Sequence, residues 1–320
     1  MNNIETSVAE KFSDWVHNLN VNDIPEEVVN KLQLIIIDSF GLMVSAKNEP
    51  YIKSLINALQ EHGDCTLVGH NKNVNPFNAS IINGTAIHGE DFDDTFEGTP
   101  VHVGSVMVPA ILSSAQAKNL DGQKFLKGLV VGSELICRLA LVAPTAVHRQ
   151  GFHPTAIFGA FGSSIGVSSL LGNTIDEMSS GLGIVGSMAS GIIEYLAEGT
   201  STKRLHPGWA AGCGWQSANF AKSGFLGPRT VFEGQHGVFN SFAKNNIEPD
   251  FSHIILDLGK RWESKNLALK PYACGTMAQP FIDCAIKLKG KIGDVENIDT
   301  VSYTHLRAHE TKANLVCRLL

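Results

Sequence analysis

The part of the sequence best suited to chemistry is an acidic cluster that follows a histidine. Residues 88–95 read His-Gly-Glu-Asp-Phe-Asp-Asp-Thr, so four carboxylates lie within five residues. Like charges this close repel one another, which raises the pKa of at least one carboxyl group. The cluster therefore predicts a site for acid–base chemistry or cation binding. A solvated acidic loop is the simpler alternative, and residues 91–94 also match the short DxDD pattern of protonating terpene cyclases.

Two histidines in irregular segments are further candidates for proton transfer. His102 lies in Pro-Val-His-Val-Gly-Ser, and His153 lies in Gly-Phe-His-Pro. Imidazole titrates near neutral pH, so either ring is a candidate base or acid. A histidine beside glycine or proline is as often an ordinary turn residue. The sequence alone leaves both interpretations open.

A basic segment predicts an anion site in a chain that is acidic overall. Lys203, Arg204 and His206 lie within four residues, directly before Pro-Gly-Trp. Such a group of donors suits a carboxylate-rich or phosphate ligand, and the alternative is a solvated basic turn. Lys270 precedes a proline, which biases its backbone toward an extended conformation. It is either a functional lysine or an ordinary surface lysine at a turn.

Other motifs argue against several classes of enzyme. Residues 181–186 have the GxGxxG spacing, but no strand precedes them and no acid follows at the ribose-binding distance. Helix packing by small residues explains them better. The sequence has no P-loop, GxSxG or HExxH motif, and its six cysteines are scattered, without a CxxC pair or zinc spacing. They are typical of reduced thiols in a cytosolic protein.

Charge and composition limit the partners of the 320-residue chain. Its net charge of −6 argues against a nucleic-acid partner. Apolar residues make up 43% and charged residues 18%, which is enough to bury a large core. The first residues, Met-Asn-Asn-Ile-Glu-Thr, show neither a basic region nor a long apolar run, so no secretory signal is predicted. We expect a cytoplasmic protein.

The elements that must position these residues are predicted to be helices. Asp23-Ile-Pro-Glu-Glu is a helix start, and apolar spacing continues that helix toward Leu42. The same periodicity predicts helices over 51–61, 104–117 and 123–142, and a helix that starts at Ala79.

Two uncharged stretches, 154–175 and 178–193, have the length of membrane spans. Glycine, serine and alanine dominate them, so buried, closely packed helices are favoured over a transmembrane hairpin, and no membrane is expected as a partner. The pattern changes after residue 260. We expect a domain boundary near residue 263, a helix near 280–289 and a strand within 290–301.

Taken together, these segments resemble the MmgE/PrpD family, which includes 2-methylcitrate dehydratases, cis-aconitate decarboxylases and related epimerases. The resemblance extends from about residue 8 to about residue 300. It rests on six ordered motifs: His88…Asp91-Phe-Asp93-Asp94-Thr95, Val101-His102-Val-Gly-Ser105, Gly151-Phe-His153-Pro154, Thr202-Lys203-Arg204-Leu-His206-Pro-Gly-Trp209-Ala-Ala, Gly224-Phe225-Leu-Gly227-Pro228 and Lys270-Pro-Tyr272.

The resemblance implies a mainly α fold and a site that needs no cofactor and no metal. A large helical-bundle domain, residues 1–263, would be followed by the beginning of a smaller α/β domain, 264–302, and by a tail, 303–320, that the family lacks. A homodimer is implied, with the active site in the cleft between the domains. By motif, the catalytic positions are Asp91, Thr95, His102, His153, Lys203 and Lys270, and the substrate-binding positions are Arg204 and His206.

The implied activity is that of a metal-independent lyase acting on a small polycarboxylate. The main expectation is a 2-methylcitrate dehydratase-like reaction, in which a proton next to a carboxylate is removed and water is lost. Three alternatives stay open: a cis-aconitate decarboxylase, an epimerase of a dicarboxylate such as iminodisuccinate, and an inactive helical fragment.

The chain departs from the family pattern at two places. Many relatives have a histidine before a proline where this chain has Gln279-Pro280, which bears on the identity of the proton donor. The match also fades after Val301, so we expect a truncated second domain. Lys270 would then lack the lid that presses it toward Lys203, and the chain would be nearly inactive.

Overall fold

The computed structural model describes residues 6–59, 61–97, 99–243 and 247–289 of the chain. Over these ranges the protein is mainly α-helical, as the sequence predicts, and each of its four strands has two residues. The helices are α1 (Val8–Asn18), α2 (Glu26–Ser45), α3 (Pro50–Ala58), α4 (Pro76–His88), α5 (Gly104–Lys118), α6 (Gly122–Val142), α7 (Ala146–Arg149), α8 (Pro154–Leu171), α9 (Ile175–Gly186), α10 (Tyr195–Glu198), α11 (Thr202–Lys222), α12 (Val238–Phe242), α13 (Ser252–Ile255) and α14 (Gln279–Leu288). The strands are β1 (Cys65–Thr66), β2 (Asn73–Val74), β3 (Thr95–Phe96) and β4 (Leu267–Ala268).

Helix α8 forms the centre of the bundle, and α5, α6, α9 and α11 pack around it. It is apolar on every side, which is the pattern of a helix enclosed by others. Two helices, residues 26–48 and 154–171, are long and apolar enough to cross a membrane, and 89% of the second is buried inside the molecule. The buried-helix interpretation of residues 154–171 is therefore confirmed, and the GxGxxG segment lies within α9.

Small residues allow the helices that carry the site to approach one another closely. A side chain on Gly84 of α4 would lie 2.6 Å from the Cα atom of Gly208 in α11. A side chain on Gly208 would in turn collide with the backbone of Ile81. Because α4 ends at His88 and α11 begins at Thr202, this contact places the acidic cluster beside the basic segment.

A buried ion pair fixes the chain after α13. Arg138 of α6 is fully buried, pairs with Glu134 at 2.7 Å and donates to backbone carbonyl groups within residues 253–261. Glu134 accepts hydrogen bonds from the backbone N–H groups of Glu263 and Ser264. A buried pair of this kind is costly to break, because removing one partner leaves an uncompensated charge. It therefore holds the segment that leads into β4.

The strands β3 and β4 form an antiparallel pair, with Thr95 opposite Ala268. The pairing attaches residues 267–268 to the loop that follows α4, and Lys270 lies two residues further on. The predicted domain boundary near residue 263 stays a prediction. The predicted strand within 290–301 and the tail, 303–320, lie outside the described residues.

Helix boundaries differ from the predictions where a cap decides them. Helix α4 begins at Pro76 rather than at Ala79, because the Asn75 side chain accepts a hydrogen bond from the backbone N–H of Asn78 and Pro76 occupies the first turn. Helix α3 ends at Ala58, three residues before the predicted end. The predicted helices over 104–117 and 123–142 correspond to α5 and α6.

Candidate active site

Asp91 bridges two lysines that are far apart in the sequence. Its carboxylate lies 3.0 Å from Nζ of Lys203 and 2.9 Å from Nζ of Lys270. Burial alone would raise the pKa of Asp91, but Lys203 and Lys270 outweigh it and hold this pKa well below its ordinary value. Its backbone adopts a left-handed conformation with φ of 52°, which few residues other than glycine, asparagine and aspartate tolerate. The two ion pairs attach the turn after α4, in this left-handed conformation, to both lysines.

Lys270 is firmly held in this arrangement. Its Nζ also donates to the backbone carbonyl of Asp91 at 2.8 Å, and its side chain is 1% exposed. The expectation that Lys270 would not be pressed toward Lys203 is therefore wrong. The pairing of β4 with β3 delivers Lys270 to the acidic turn within the described residues.

Asp94 shapes the loop that carries His102. Its two carboxylate oxygens accept hydrogen bonds from the backbone N–H groups of Val103 and Gly104, at 3.0 and 2.7 Å, where α5 begins. Burial, followed by the charge of Asp93, raises the pKa of Asp94 to about 7. The predicted raised pKa within the acidic cluster is found at this residue.

The ring of His102 is fixed in one orientation and one tautomer. Its Nδ1 lies 2.7 Å from the carbonyl oxygen of Asp94, which only accepts, so Nδ1 carries the proton and the lone pair is on Nε2. Its backbone N–H donates to the hydroxyl of Thr155 in α8. Burial is the main cause that lowers the pKa of His102 to about 3, although the nearby Asp93 opposes this effect. The ring is therefore neutral at neutral pH.

A buried histidine–carboxylate pair lies behind His102. Nδ1 of His88 is 2.8 Å from one oxygen of Asp93, and the other oxygen is 3.4 Å from Nδ1 of His102. Burial opposes ionisation of Asp93, but His102 and His88 outweigh it and hold the pKa of Asp93 well below its ordinary value. The ring of His88 packs against that of His102 with centroids 4.8 Å apart. Asp93 therefore supplies a negative charge to both rings.

His153 and His206 form a second histidine pair on the other side of the site. His153 directly precedes α8, and His206 lies in the second turn of α11. Their Nδ1 atoms are 3.2 Å apart. The ring of His153 also lies 5.6 Å from that of His88, and Tyr195 packs against both members of the pair. Four histidine rings thus form one continuous group behind the two lysines.

Thr95 and Arg204 lie at the margin of this group. The hydroxyl of Thr276, eight residues after the end of β4, donates to the hydroxyl of Thr95 at 3.3 Å. Nε of Arg204 donates to the carbonyl of Gly89, and its guanidinium lies 5.0 Å from the ring centroid of Tyr51. These contacts of Arg204 support the acidic turn, and its role in substrate binding stays a prediction.

The structure brings the predicted residues together but adds partners that the sequence did not single out. Asp91, Lys203 and Lys270 form one half of the group, and His102, His153 and His206 form the other. The additional residues are His88, Asp93, Tyr195 and Thr276. His88 and Asp93 belong to the same motif as Asp91, so the motif was a signal for them. No sequence signal pointed to Tyr195 or Thr276.

Three residues have the composition of a metal site. Atoms of His88, Asp93 and His102 that are able to bind a metal lie within 4.8 Å of one another, and all three residues are buried. Hydrogen bonds occupy Nδ1 of His102, to a backbone carbonyl, and Nδ1 of His88, to Asp93, so a metal would have to bind these rings at their Nε2 atoms. Metal independence stays a prediction, which is tested below.

The site as a whole suits an anionic substrate that exchanges a proton. Two lysine cations lie beside neutral imidazole rings, in a region where most side chains are buried. Fixed cations in such surroundings stabilise negative charge that develops during a reaction, and a neutral imidazole within hydrogen-bond reach of a reacting atom donates or accepts a proton there.

Comparisons with known proteins identify the family to which the chain is similar. The profile of the MmgE/PrpD N-terminal domain matches residues 10–250. The chain is 28% identical to a cis-aconitate decarboxylase-like protein, oryM, of Aspergillus oryzae, over 92% of this chain and 64% of that protein. It is 25% identical to a cis-aconitate decarboxylase of Aspergillus terreus, over 98% of this chain and 67% of that protein. It is 30% identical to the cis-aconitate decarboxylase of Mus musculus, over 78% of this chain and 53% of that protein. The chain thus spans about half to two thirds of the length of these relatives.

Proposed function

The chain belongs to the MmgE/PrpD family, and we propose that it is a lyase that decarboxylates an unsaturated tricarboxylate of the cis-aconitate type. The names of its relatives favour decarboxylation over the dehydration that was the main expectation from the sequence. The proposal rests on one observation: Asp91 makes an ion pair with both Lys203 and Lys270, next to neutral histidines.

We assign carboxylate binding to the two lysines. Lys203 is 28% exposed and Lys270 only 1% exposed, so a ligand reaches Lys203 first. Each ammonium group has three donors, and Asp91 does not occupy all of them. Two carboxylates of the substrate would bind to the remaining donors, with Asp91 holding both lysines at a fixed spacing. This use of preorganised cations lowers the energy of an anionic intermediate.

The reaction shifts a double bond while CO2 leaves. In cis-aconitate, a CH2–carboxylate group is attached to one carbon of the C=C bond. The bond between this CH2 and its carboxylate carbon breaks, and the electron pair forms a new C=C bond to the central carbon. The electrons of the old double bond move to the far carbon, where the adjacent carboxylate delocalises them. A proton then adds to the far carbon, and the product is an unsaturated dicarboxylate.

His102 and His153 take different parts in this scheme. A bound trianion would raise the pKa of His102, because nearby negative charge favours the imidazolium form. With Asp93 behind it, the protonated ring would stabilise the carboxylate on which charge accumulates. Nε2 of His153, whose Nδ1 is hydrogen-bonded to the neutral ring of His206, would donate the proton to the far carbon. Thr95 and Arg204 would complete the substrate-facing surface.

The test is a comparison of three substrates with the 320-residue chain. Purified protein is incubated separately with cis-aconitate, 2-methylcitrate and iminodisuccinate, and products are identified by mass spectrometry with released CO2 measured in parallel. We expect CO2 and an unsaturated dicarboxylate from cis-aconitate only. Loss of water from 2-methylcitrate without CO2 from cis-aconitate would restore the dehydratase expectation. If folded protein converts none of the three, the proposal is wrong.

A further inference from the structure

We propose that His206 is a proton relay for His153, so that the proton donated by Nε2 of His153 is replaced through the hydrogen bond between the two Nδ1 atoms. This assignment rests on the proposed function, since it names the route of the proton that the reaction consumes. It differs from the substrate-binding role that the sequence predicts for His206.

The distance between the rings defines how they share a proton. The Nδ1 atoms lie 3.2 Å apart, which is a hydrogen-bond distance. One neutral ring must carry the proton on Nδ1 and the other must accept it there. When His206 donates, His153 has its own proton on Nε2 and is an acid. When His153 donates, its Nε2 has a lone pair and is a base. At any time, therefore, one of the two Nε2 atoms carries a proton and the other has a lone pair.

The surroundings keep both rings neutral. His153 is 5% exposed and His206 is 9% exposed. Burial, followed by the charges of His88 and Lys203, lowers the pKa of His206 to about 4. Burial, followed by the charges of His88 and His206, lowers the pKa of His153 well below its ordinary value. A single imidazolium is thus disfavoured, whereas a concerted transfer through the pair places no charge on either ring.

A glycine holds the pair at its spacing. The carbonyl of Gly191 accepts a hydrogen bond from the backbone N–H of His153 at 2.8 Å. Gly191 has φ of 137°, and a side chain there would lie 3.2 Å from Nδ1 of His206 and 2.6 Å from Cβ of Ala156. Only glycine combines this backbone conformation with the space that the ring of His206 occupies. The same residue therefore positions both histidines.

The proton balance of one transfer is complete. Nε2 of His153 gives its proton to the far carbon of the substrate, and the N–H bond there breaks as the C–H bond forms. The proton on Nδ1 of His206 moves to Nδ1 of His153. Nε2 of His206 then takes a proton from water, and the hydroxide that remains leaves to bulk solvent, where the buffer neutralises it, so both rings remain neutral and have exchanged tautomers. After the product leaves, the reverse transfer through water in the empty site restores the first state.

The first experiment measures the tautomers without any substrate. Histidine ring nitrogens labelled with 15N are observed by NMR in the resting 320-residue chain. We expect the Nδ1 and Nε2 signals of His153 to be averaged between protonated and unprotonated positions. In His206→Asn, whose amide makes a hydrogen bond but does not pass a proton on, we expect one fixed tautomer of His153. A single tautomer in the parent protein that the substitution leaves unchanged would overturn the relay.

The second experiment measures turnover of cis-aconitate. His206→Asn should lower kcat by at least about tenfold with KM changed by less than about twofold, because a proton-transfer step is affected and ground-state binding is not. A plot of the parent rate against the fraction of D2O should be curved, since several protons move together. The same plot for the variant should be a straight line. Equal kcat values would overturn the relay. His236→Asn, at an exposed histidine outside the site, is the matched control.

The two proposals fail in distinguishable ways. A parent protein whose His153 signals are averaged, but which converts no substrate, contradicts the proposed function and supports the pair. A parent protein that releases CO2 from cis-aconitate, but shows a single His153 tautomer, supports the function and contradicts the relay. His206→Gln, checked by circular dichroism, serves as the second variant if His206→Asn does not fold.

Discussion

His102 and His153 differ in what lies behind each ring. His102 is backed by a carbonyl group and by the carboxylate of Asp93, whereas His153 is backed by a second neutral histidine. A carboxylate partner stabilises a positive charge on imidazole, and a histidine partner in a buried region does not. The comparison suggests a division of work, in which His102 is suited to hold charge and His153 to move a proton. We call His102 with Asp93 the carboxylate-backed side and His153 with His206 the histidine-backed side. The changes predicted below affect one of these sides or both.

The largest effect is expected from a change that disables both sides together. Lys203→Met removes the cation that lies between Asp91 and the substrate, so both histidines lose the anion on which they act. We expect turnover to fall by at least about a thousandfold, to an undetectable level, with unchanged helical content by circular dichroism. Lys124→Met, at an exposed lysine in α6, is the control. Equal turnover by Lys203→Met and the parent would remove Lys203 from the site.

A smaller effect is expected when only the carboxylate-backed side is changed. Asp93→Asn keeps the size of the side chain but removes the negative charge beside His102 and His88. We expect kcat to fall by about a hundredfold, while the averaged NMR signals of His153 persist. Asp64→Asn, at an exposed aspartate, is the control. If Asp93→Asn also fixes the tautomer of His153, the two sides are not independent. The proposed division of work between His102 and His153 would then be wrong.

The sequence predicted the residues of both sides better than it predicted their pairing. Ordered motifs identified His102, His153 and Lys203, because each motif requires particular residue types at fixed spacing. Motifs say nothing of distances between segments, so the contact between His153 and His206, 53 positions apart, was not foreseen. It depends on how α8 packs against α11.

The same reasoning explains the results for Lys270 and for the fold. The helical character followed from apolar periodicity, a local property of the chain. Helix starts such as that of α4 depended on the cap at Asn75, which a periodicity count does not include. The position of Lys270 depends on the pairing of Thr95 with Ala268, two residues far apart in the sequence. Non-local contacts of this kind are not encoded in any one segment.

The pH dependence of the free energy of unfolding tests the histidine-backed side. The pKa of His206 is about 4 in the folded protein and 6.5 as its ordinary value. Between these values the unfolded chain binds a proton that the folded chain does not, so His206 destabilises the fold progressively as pH falls from 6.5 to 4. His206→Asn lacks this contribution. The variant should therefore gain up to about 3 kcal/mol relative to the parent over this range.

Urea denaturation of the two proteins at several pH values between 6.5 and 4 measures this difference. The relevant quantity is the free energy of unfolding of His206→Asn minus that of the parent, since buried groups away from the pair, such as Asp94, contribute equally to both. The pKa of His153 is lowered by burial, by His88 and also by His206, so His153 changes this difference in the same direction. His236→Asn, at an exposed histidine outside the site, is measured alongside as the matched control. A difference that stays constant with pH would mean that His206 does not have a depressed pKa in the folded protein.

The smallest effect is expected from removal of metal ions, and it tests the carboxylate-backed side by another route. If His88, Asp93 and His102 bound a metal, the two rings would have to bind it through Nε2, because their Nδ1 atoms are hydrogen-bonded to Asp93 and to the carbonyl of Asp94. The proposed reaction uses His102 and Asp93 to stabilise charge without a metal, so we expect dialysis against EDTA to leave turnover of cis-aconitate unchanged. Activity lost on dialysis and restored by zinc or magnesium would make Asp93 a metal ligand rather than the partner of two imidazoles. Magnesium-dependent turnover of an isoprenoid diphosphate would instead support the terpene-cyclase interpretation of residues 91–94.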